Sequence, residues 1–116
     1  MSPFDKPLAW LGVQLSSPPL SEKARKEVGL LLRRLQQGES LGLPASRPMP
    51  SVGPRCHELR FRDAYHSWRL IYRIDHDAIV VVALVSKKTE QTPDRVIELS
   101  RDRLRRHDLR GGESRT

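Results

Sequence analysis

The stretch HELRFRDAYHSWRLIYRI, residues 57–74, decides which fold the sequence predicts. Apolar and charged side chains alternate along it on both sides of the polar segment 63–66, and this period of two is typical of strands. The pattern predicts an antiparallel hairpin with one face on the core and a charged face that is exposed. After a turn at residues 75–77, the apolar run IVVVALV, residues 79–85, predicts a third, central strand.

Helices are predicted on both sides of this meander. After Ser21, the predicted N-cap, apolar residues recur at helical spacing until Gly38, where the chain is expected to turn away. A closing helix is predicted with Thr92 as its cap and Pro93 at its first position. The residues of the two helices that are predicted to face the core are Ala24, Val28, Leu31, Leu32, Leu35, Val96, Ile97, Leu99 and Leu104.

The remaining segments complete an α+β fold. A short strand is expected within residues 7–15, and prolines and glycines predict a loop over residues 39–55. The predicted architecture is N-terminal helices packed on a small, mainly antiparallel twisted sheet, with a C-terminal helix. Residues 1–110 are expected to form a single domain, and residues 111–116 a disordered tail.

Composition restricts the partners and the location of the protein. The 21 Lys and Arg residues exceed the 14 Asp and Glu residues, for a formal charge of +7. This balance favours nucleic acid, an acidic protein or an anionic membrane as partner, and charge alone does not choose among them. Cys56 is the only cysteine, so no intramolecular disulfide forms, and the N-terminus lacks a secretory signal pattern. These two features favour a cytoplasmic protein. The longest apolar run is far shorter than the ~20 residues that span a bilayer, so no membrane-spanning segment is expected. Of the anionic partners, we expect nucleic acid and protein and no membrane.

Four cations are expected on the exposed sheet face or at its end. Arginine stays charged and can bind two phosphate oxygens at once, so such a face is typical of a phosphate-binding surface. The sequence contains no metal-ligand cluster, glycine-rich phosphate loop or nucleophile signature that would indicate a different chemistry. The four cations are Arg60, Arg69, Lys87 and Lys88.

Four sequence blocks carry a family resemblance. They are PMPSVGP (48–54), ELRFRD (58–63), WRLIY (68–72) and KKTEQTP (87–93) followed by IELSR (97–101). In this order, and over roughly residues 20–105, the chain resembles the RelE/ParE superfamily of toxins from bacterial type II toxin–antitoxin pairs. The strongest likeness is to the phage-derived, HigB-like branch of that superfamily.

The resemblance implies a compact domain that cleaves RNA without a metal or other cofactor, commonly mRNA on the ribosome. It also implies a partner, a cognate antitoxin of helix-turn-helix type, that holds the toxin inactive. In such cleavage a ribose 2′-hydroxyl attacks the adjacent phosphate, and the protein stabilises the negative charge that develops. By position, Arg60, Arg69 and Lys88 match the residues that hold the scissile phosphate in ribosome-dependent relatives, and Lys87 is able to share this role.

The general acid and base are not assigned by the resemblance. The relatives' aromatic acid/base residue falls near Asp94, which also has an ordinary role as a carboxylate at a helix start. His57 and His66 are further candidates because imidazole titrates in the useful range. The strand period places His57 on the face opposite Arg60 unless the strand contains a bulge, and it places Tyr72 in the core.

Other interpretations of the same residues remain open. Arg62 and Arg73 are candidate RNA-binding residues, but cross-strand pairing with Glu58 or Asp75 explains them better. For Arg60, Arg69 and Lys88 a functional role is favoured, because the chain lacks enough nearby acids to neutralise all of its cations. The protein could instead be a ParE-like poison of DNA gyrase that cleaves nothing, or an inactive relative that only binds its antitoxin.

Overall fold

The computed structural model describes residues 5–15, 20–88 and 91–115, the last four by their backbone alone. The chain forms a five-stranded sheet of order β1-β5-β4-β3-β2, in which only the β1–β5 pair is parallel. This confirms the predicted α+β class, the mainly antiparallel sheet and the short first strand, but the described residues contain one N-terminal helix where several were expected. The elements are β1 Leu8–Trp10, α1 Glu22–Gln36, β2 Ser46–Pro48, β3 Cys56–Arg62, β4 Ser67–Ile74, β5 Ile79–Ser86 and α2 Asp94–Arg115.

Helix α1 covers one face of the sheet. The hydroxyl of Ser21 accepts a hydrogen bond from the Ala24 amide at 3.1 Å, which confirms the predicted N-cap. After the helix ends, Gly38 has a φ of +88°, a conformation that favours glycine. All five apolar residues predicted for this helix are buried. They pack against Leu59, Phe61, Trp68, Leu70 and Tyr72, so the predicted core face of the hairpin is confirmed.

Segment 39–55 contributes an edge strand that was not predicted. Ser46 pairs with Leu59 and Arg47 with Glu58, and Pro48 ends the strand. Proline is tolerated there because an edge strand leaves one row of amides without a neighbouring strand. The buried hydroxyls of Ser46 and Tyr72 also hydrogen bond at 2.6 Å. These contacts fasten the edge of the sheet to its core.

Helix α2 covers the opposite face, which the sequence analysis expected to be exposed. Val96 and Leu104 pack there on Ile71 and the β5 valines. An irregularity in the β4–β5 register places both Val82 and Ala83 in this second cluster. The prediction of an exposed charged face is therefore wrong for its centre. Glu58, Arg69 and Arg73 are all buried, whereas Leu99, predicted to be buried, is exposed.

The start of α2 differs from the sequence-based expectation. The carbonyl of Pro93 accepts the first hydrogen bonds, from the Val96 and Ile97 amides, and the Thr92 hydroxyl donates to Glu58. The predicted capping role of Thr92 is therefore wrong, because the residue directly before the helix, whose carbonyl accepts its first hydrogen bonds, is Pro93. The backbone of residues 111–115 continues the helix, and Thr116, the end of the segment predicted to be a disordered tail, lies outside the described residues.

The C-terminal half of α2 is attached to the sheet by charge. Arg73 donates two hydrogen bonds to each of two carboxylates, Asp75 after its own strand and Asp108 on α2, at 2.7 to 2.9 Å. Arg103 adds a hydrogen bond to the Val82 carbonyl at 2.7 Å. Neither α1 nor α2, the helices of the described segments, is long and apolar enough to cross a membrane.

Candidate functional site

A single buried carboxylate organises the basic residues of the sheet. Glu58 lies on β3 and faces the start of α2, with no exposed surface. Its Oε1 lies 3.0 Å from Nε of Arg60, 3.3 Å from Nε of Arg47 and 3.5 Å from Nε of Arg69. Its Oε2 accepts a hydrogen bond from the Thr92 hydroxyl at 2.6 Å. We call Glu58, Thr92 and the three arginines the Glu58 cluster.

The strand register brings these residues together. Arg60 on β3 is directly opposite Arg69 on β4, and Glu58 is directly opposite Arg47 on β2. Residues two apart on a strand share a face, so Glu58 and Arg60 both face α2. Three neighbouring strands therefore each supply an arginine to the same carboxylate.

The charges in the Glu58 cluster keep its carboxylate ionised. Burial alone raises the pKa of Glu58, but hydrogen bonds from Thr92 and Arg60 and the charges of Arg69 and Arg47 leave the pKa below its usual value. One negative charge then faces three guanidinium groups. The Glu58 cluster therefore retains a surplus of positive charge that an added anion, such as a phosphate, would balance.

The three arginines differ in their access to solvent. Only 1% of the Arg69 side chain is exposed, against 29% for Arg60 and 33% for Arg47. Arg69 lies beneath the segment that precedes α2, where its Nη1 donates to the Thr92 hydroxyl at 3.3 Å. In this conformation Arg60 and Arg47 are the arginines that an anion can reach, and Arg69 supports the carboxylate between them.

A cleft beside the Glu58 cluster gathers further cations. It has a volume of about 580 Å³, and its walls include three cations, one acid and the half-buried Ser67. The cations are Arg60, Arg62 and Lys87, and the acid is Glu27. The amide of Lys87 donates to the Ser67 carbonyl at 2.8 Å, which holds the end of β5 against β4. Lys88, the next residue, is exposed. We call this space the cationic cleft.

Arg62 and Arg73, both predicted to bind RNA, differ in whether they form ion pairs within the protein. Arg73 is paired with Asp75, as the sequence analysis favoured, and lies four positions from Arg69 on β4. The same expectation is wrong for Arg62, which forms no ion pair in the part of the chain that the structure describes. Arg60 and Arg69 share one acid, Glu58, with Arg47, so the nearby acids are too few to neutralise all three arginines.

The three candidate acid/base residues lie outside the Glu58 cluster. His57 stacks on Tyr72 with ring centroids 5.4 Å apart, on the α1 side of the sheet, and burial lowers its pKa. This confirms that it lies opposite Arg60. His66 is exposed in the β3–β4 turn, 3.9 Å from Asp63, and Asp94 is exposed as the first residue of α2.

The β3–β4 turn presents an aromatic residue that the sequence analysis did not select. The Asp63 carboxylate accepts hydrogen bonds from the Tyr65 and His66 amides, both at 2.8 Å, and from the Ser21 hydroxyl. These bonds lower the pKa of Asp63 to about 2. They hold the turn against the start of α1 and leave the Tyr65 residue 89% exposed.

Arg47 is the other residue that the sequence analysis missed. It lies in the proline-rich segment, where no periodic pattern indicates a strand, and only its pairing with β3 brings it to Glu58. Over residues 5–15, 20–88 and 91–111, no group of three His, Cys, Asp or Glu side chains is arranged to hold a metal ion.

The fold and the cluster together define a small α+β domain with three arginines gathered around one carboxylate on its sheet. The family model described as phage derived protein Gp49-like (DUF891) matches residues 18–105, a range that contains the whole Glu58 cluster. The chain therefore belongs to the Gp49-like family, which is part of the RelE/HigB-like toxin superfamily. A search of the curated proteins finds no match to the chain.

Proposed function

We propose that the protein is the toxin of a type II toxin–antitoxin pair, a HigB-like endoribonuclease that cuts mRNA without a metal and stops translation in the cytoplasm. The observation that carries this proposal is the Glu58 cluster, in which three arginines converge on one buried carboxylate beside the cationic cleft. Membership of the Gp49-like family supports it. Its partners are RNA, ribosome-bound in the family's common mode, and a cognate antitoxin of helix-turn-helix type.

RNA cleavage requires a positively charged hydrogen-bond donor at the attacked phosphate. As the ribose 2′-hydroxyl attacks, negative charge grows on the phosphoryl oxygens, and a guanidinium that is already oriented stabilises that charge. Arg60 and Arg47 are oriented by Glu58 and are partly exposed, so we assign them this role. To Arg62 and Lys87, which line the cationic cleft, and to the neighbouring exposed Lys88 we assign the flanking RNA backbone.

Arg69 is assigned a positioning role in this mechanism. It is covered by Thr92 and bound to Glu58, so it orients the carboxylate that in turn orients Arg60. A direct contact between Arg69 and phosphate would require the segment before α2 to move. This assignment differs from the one that the family resemblance implies, which places Arg69 on the scissile phosphate.

Cleavage of mRNA in the presence of ribosomes tests the proposal. Arg47→Ala and Arg60→Ala should each reduce the cleavage rate by about 10²-fold, the usual cost of losing one charge-stabilising donor. Arg25→Ala removes the same charge from the exposed surface of α1 and is the matched control. Equal losses in all three variants would mean that only general electrostatics matters. Full activity of the two site variants, with circular dichroism unchanged, would refute the site.

A gyrase poison is the second candidate. The burial of Arg69 favours it, because the arginine that the family resemblance places on the scissile phosphate is closed off from solvent here. Pulse labelling during expression separates the two. Early loss of methionine incorporation supports RNA cleavage, whereas early loss of thymidine incorporation with a DNA-damage response supports gyrase inhibition. Normal growth, together with tight antitoxin binding, would indicate an inactive relative.

A further inference from the structure

A second, larger cleft lies at the other end of α2 and has no part in the proposed chemistry. It opens between the loop of residues 52–56 and the C-terminal half of the helix, with a volume of about 850 Å³. Volumes of this size are typical of binding sites. It flanks Arg73, which lies four residues beyond Arg69 on β4 and therefore about 13 Å from it. We call this space the α2 cleft.

The floor of the α2 cleft is apolar and its rim is basic. Val52, Cys56 and Leu104 form buried parts of its wall. Burial raises the pKa of the Cys56 thiol, so this part of the wall carries no charge. Leu109 also lines the cleft and is 61% exposed, so its side chain is available to a partner.

Four arginines and one aspartate line the same cleft, so its lining carries a net positive charge, which Asp75 and Asp102 beside it offset in part. Arg73 is satisfied by Asp108 and Asp75 within the protein. Arg55 and Arg105 form exposed ion pairs, with Asp75 at 3.2 Å and Asp102 at 2.5 Å. Exposed pairs of this kind contribute little to stability, so an incoming carboxylate can share these arginines at small cost.

The combination of surfaces distinguishes a protein partner from RNA. Bases of unpaired RNA stack on aromatic side chains or on arginine guanidinium planes. The described lining of the α2 cleft contains no aromatic residue, and three of its four arginines are held in ion pairs. A leucine-lined floor accommodates an aliphatic side chain, and the arginine rim accommodates acidic neighbours of that side chain.

We propose that the α2 cleft is the docking site for an acidic segment of the antitoxin, which inserts an aliphatic side chain between Leu104 and Leu109. The proposal rests on the proposed function, because it names the antitoxin as the occupant. Docking there leaves the Glu58 cluster uncovered. The docked segment contacts α2. This helix begins two residues after Thr92, whose hydroxyl accepts a hydrogen bond from Arg69.

The test uses the purified full chain and the protein encoded by the adjacent reading frame, with the dissociation constant measured by isothermal titration calorimetry. Leu109→Glu and Arg105→Glu should each weaken the complex by about 10-fold or more, since each introduces a charge conflict at a central contact. Leu30→Glu and Arg25→Glu on α1 are matched controls, because Leu30 is similarly exposed at 66% and Arg25 is an exposed helical arginine. Both controls should bind as the wild type does.

Growth assays read the same variants in cells. Leu109→Glu and Arg105→Glu should remain toxic and should no longer be neutralised by co-expression of the partner. Neutralisation equal to that of the wild type would overturn the docking site while leaving the toxin assignment intact. Loss of RNA binding with retained partner binding would make the cleft an RNA surface and would also overturn it. If the partner fails to bind or neutralise the wild-type chain, the proposed function fails, and the docking site fails with it.

Discussion

Arg60 and Arg69 lie directly opposite each other on adjacent antiparallel strands, a position in which like charges repel. The carboxylate of Glu58 lies 3.0 Å from one and 3.5 Å from the other, and it removes the conflict. The two arginines make the sheet a candidate phosphate site, and the fold tolerates their adjacent charges because both contact the buried carboxylate of Glu58. This relationship leads to predictions on stability and on binding.

Replacement of Glu58 by Gln should destabilise the protein strongly. The neutral amide no longer offsets the charge of the buried Arg69, and breaking a buried ion pair typically costs about 3–5 kcal/mol. Urea unfolding followed by circular dichroism measures the free energy of unfolding. Glu98→Gln removes an exposed carboxylate from α2 and serves as the control. A Glu58→Gln variant as stable as this control would contradict a structural role for the cluster.

Acid should weaken the β3–β4 turn through Asp63. Its pKa falls from 3.8 to about 2 in the folded protein, so the folded state binds the proton less tightly than the unfolded chain. The stability that this carboxylate contributes is present above about pH 4 and is lost as the pH falls towards 2. Urea unfolding at several values between about pH 2 and 5 measures the free energy of unfolding across this window. That free energy should depend less steeply on pH for Asp63→Asn than for the wild type. Asp77→Asn, in the exposed 75–77 turn, should retain the wild-type dependence.

Tyr65 should contribute to RNA binding by stacking on a base. It is 89% exposed on a turn that three hydrogen bonds to Asp63 hold in place, and the turn joins strands that border the cationic cleft. Stacking on an aromatic ring contributes about 1–3 kcal/mol per base. Tyr65→Ala should therefore weaken binding by roughly 5-fold or more, while Tyr65→Phe retains it, as measured by fluorescence anisotropy with labelled RNA and ribosomes. Equal affinities of the Ala and Phe variants would exclude stacking.

Arg73 should prove structural. Its guanidinium bridges Asp75 and Asp108. The ion pair with Asp108 connects the C-terminal half of α2 to β4. Arg73→Met keeps the aliphatic stem and removes the charge, and we expect a loss of about 3 kcal/mol, near the lower limit for buried pairs because Asp108 is partly exposed. Arg62→Met, on an exposed strand end, should change stability little. Thermal unfolding compares the two variants, and similar melting temperatures would contradict the bridge.

The sequence alone determined the elements that depend on local periodicity. The alternation over residues 57–74 specified the hairpin and which of its faces contains Leu59 and Tyr72, because side chains on a strand alternate between faces. The Ser21 cap and the apolar spacing specified α1 with its buried residues. The same parity placed His57 opposite Arg60, as the structure confirms.

Only the tertiary structure decided what covers each face. Parity groups Glu58, Arg60 and Arg69 on one side of the hairpin, but it carries no information on whether a distant helix packs there. Helix α2 begins more than twenty residues after Arg69, and its approach buries that arginine and brings Thr92 to Glu58. Arg47 joins the same carboxylate through the pairing of β2, a strand without a periodic signal. Alternation is a property of neighbouring residues, whereas burial and charge pairing depend on contacts between segments that are far apart in the chain.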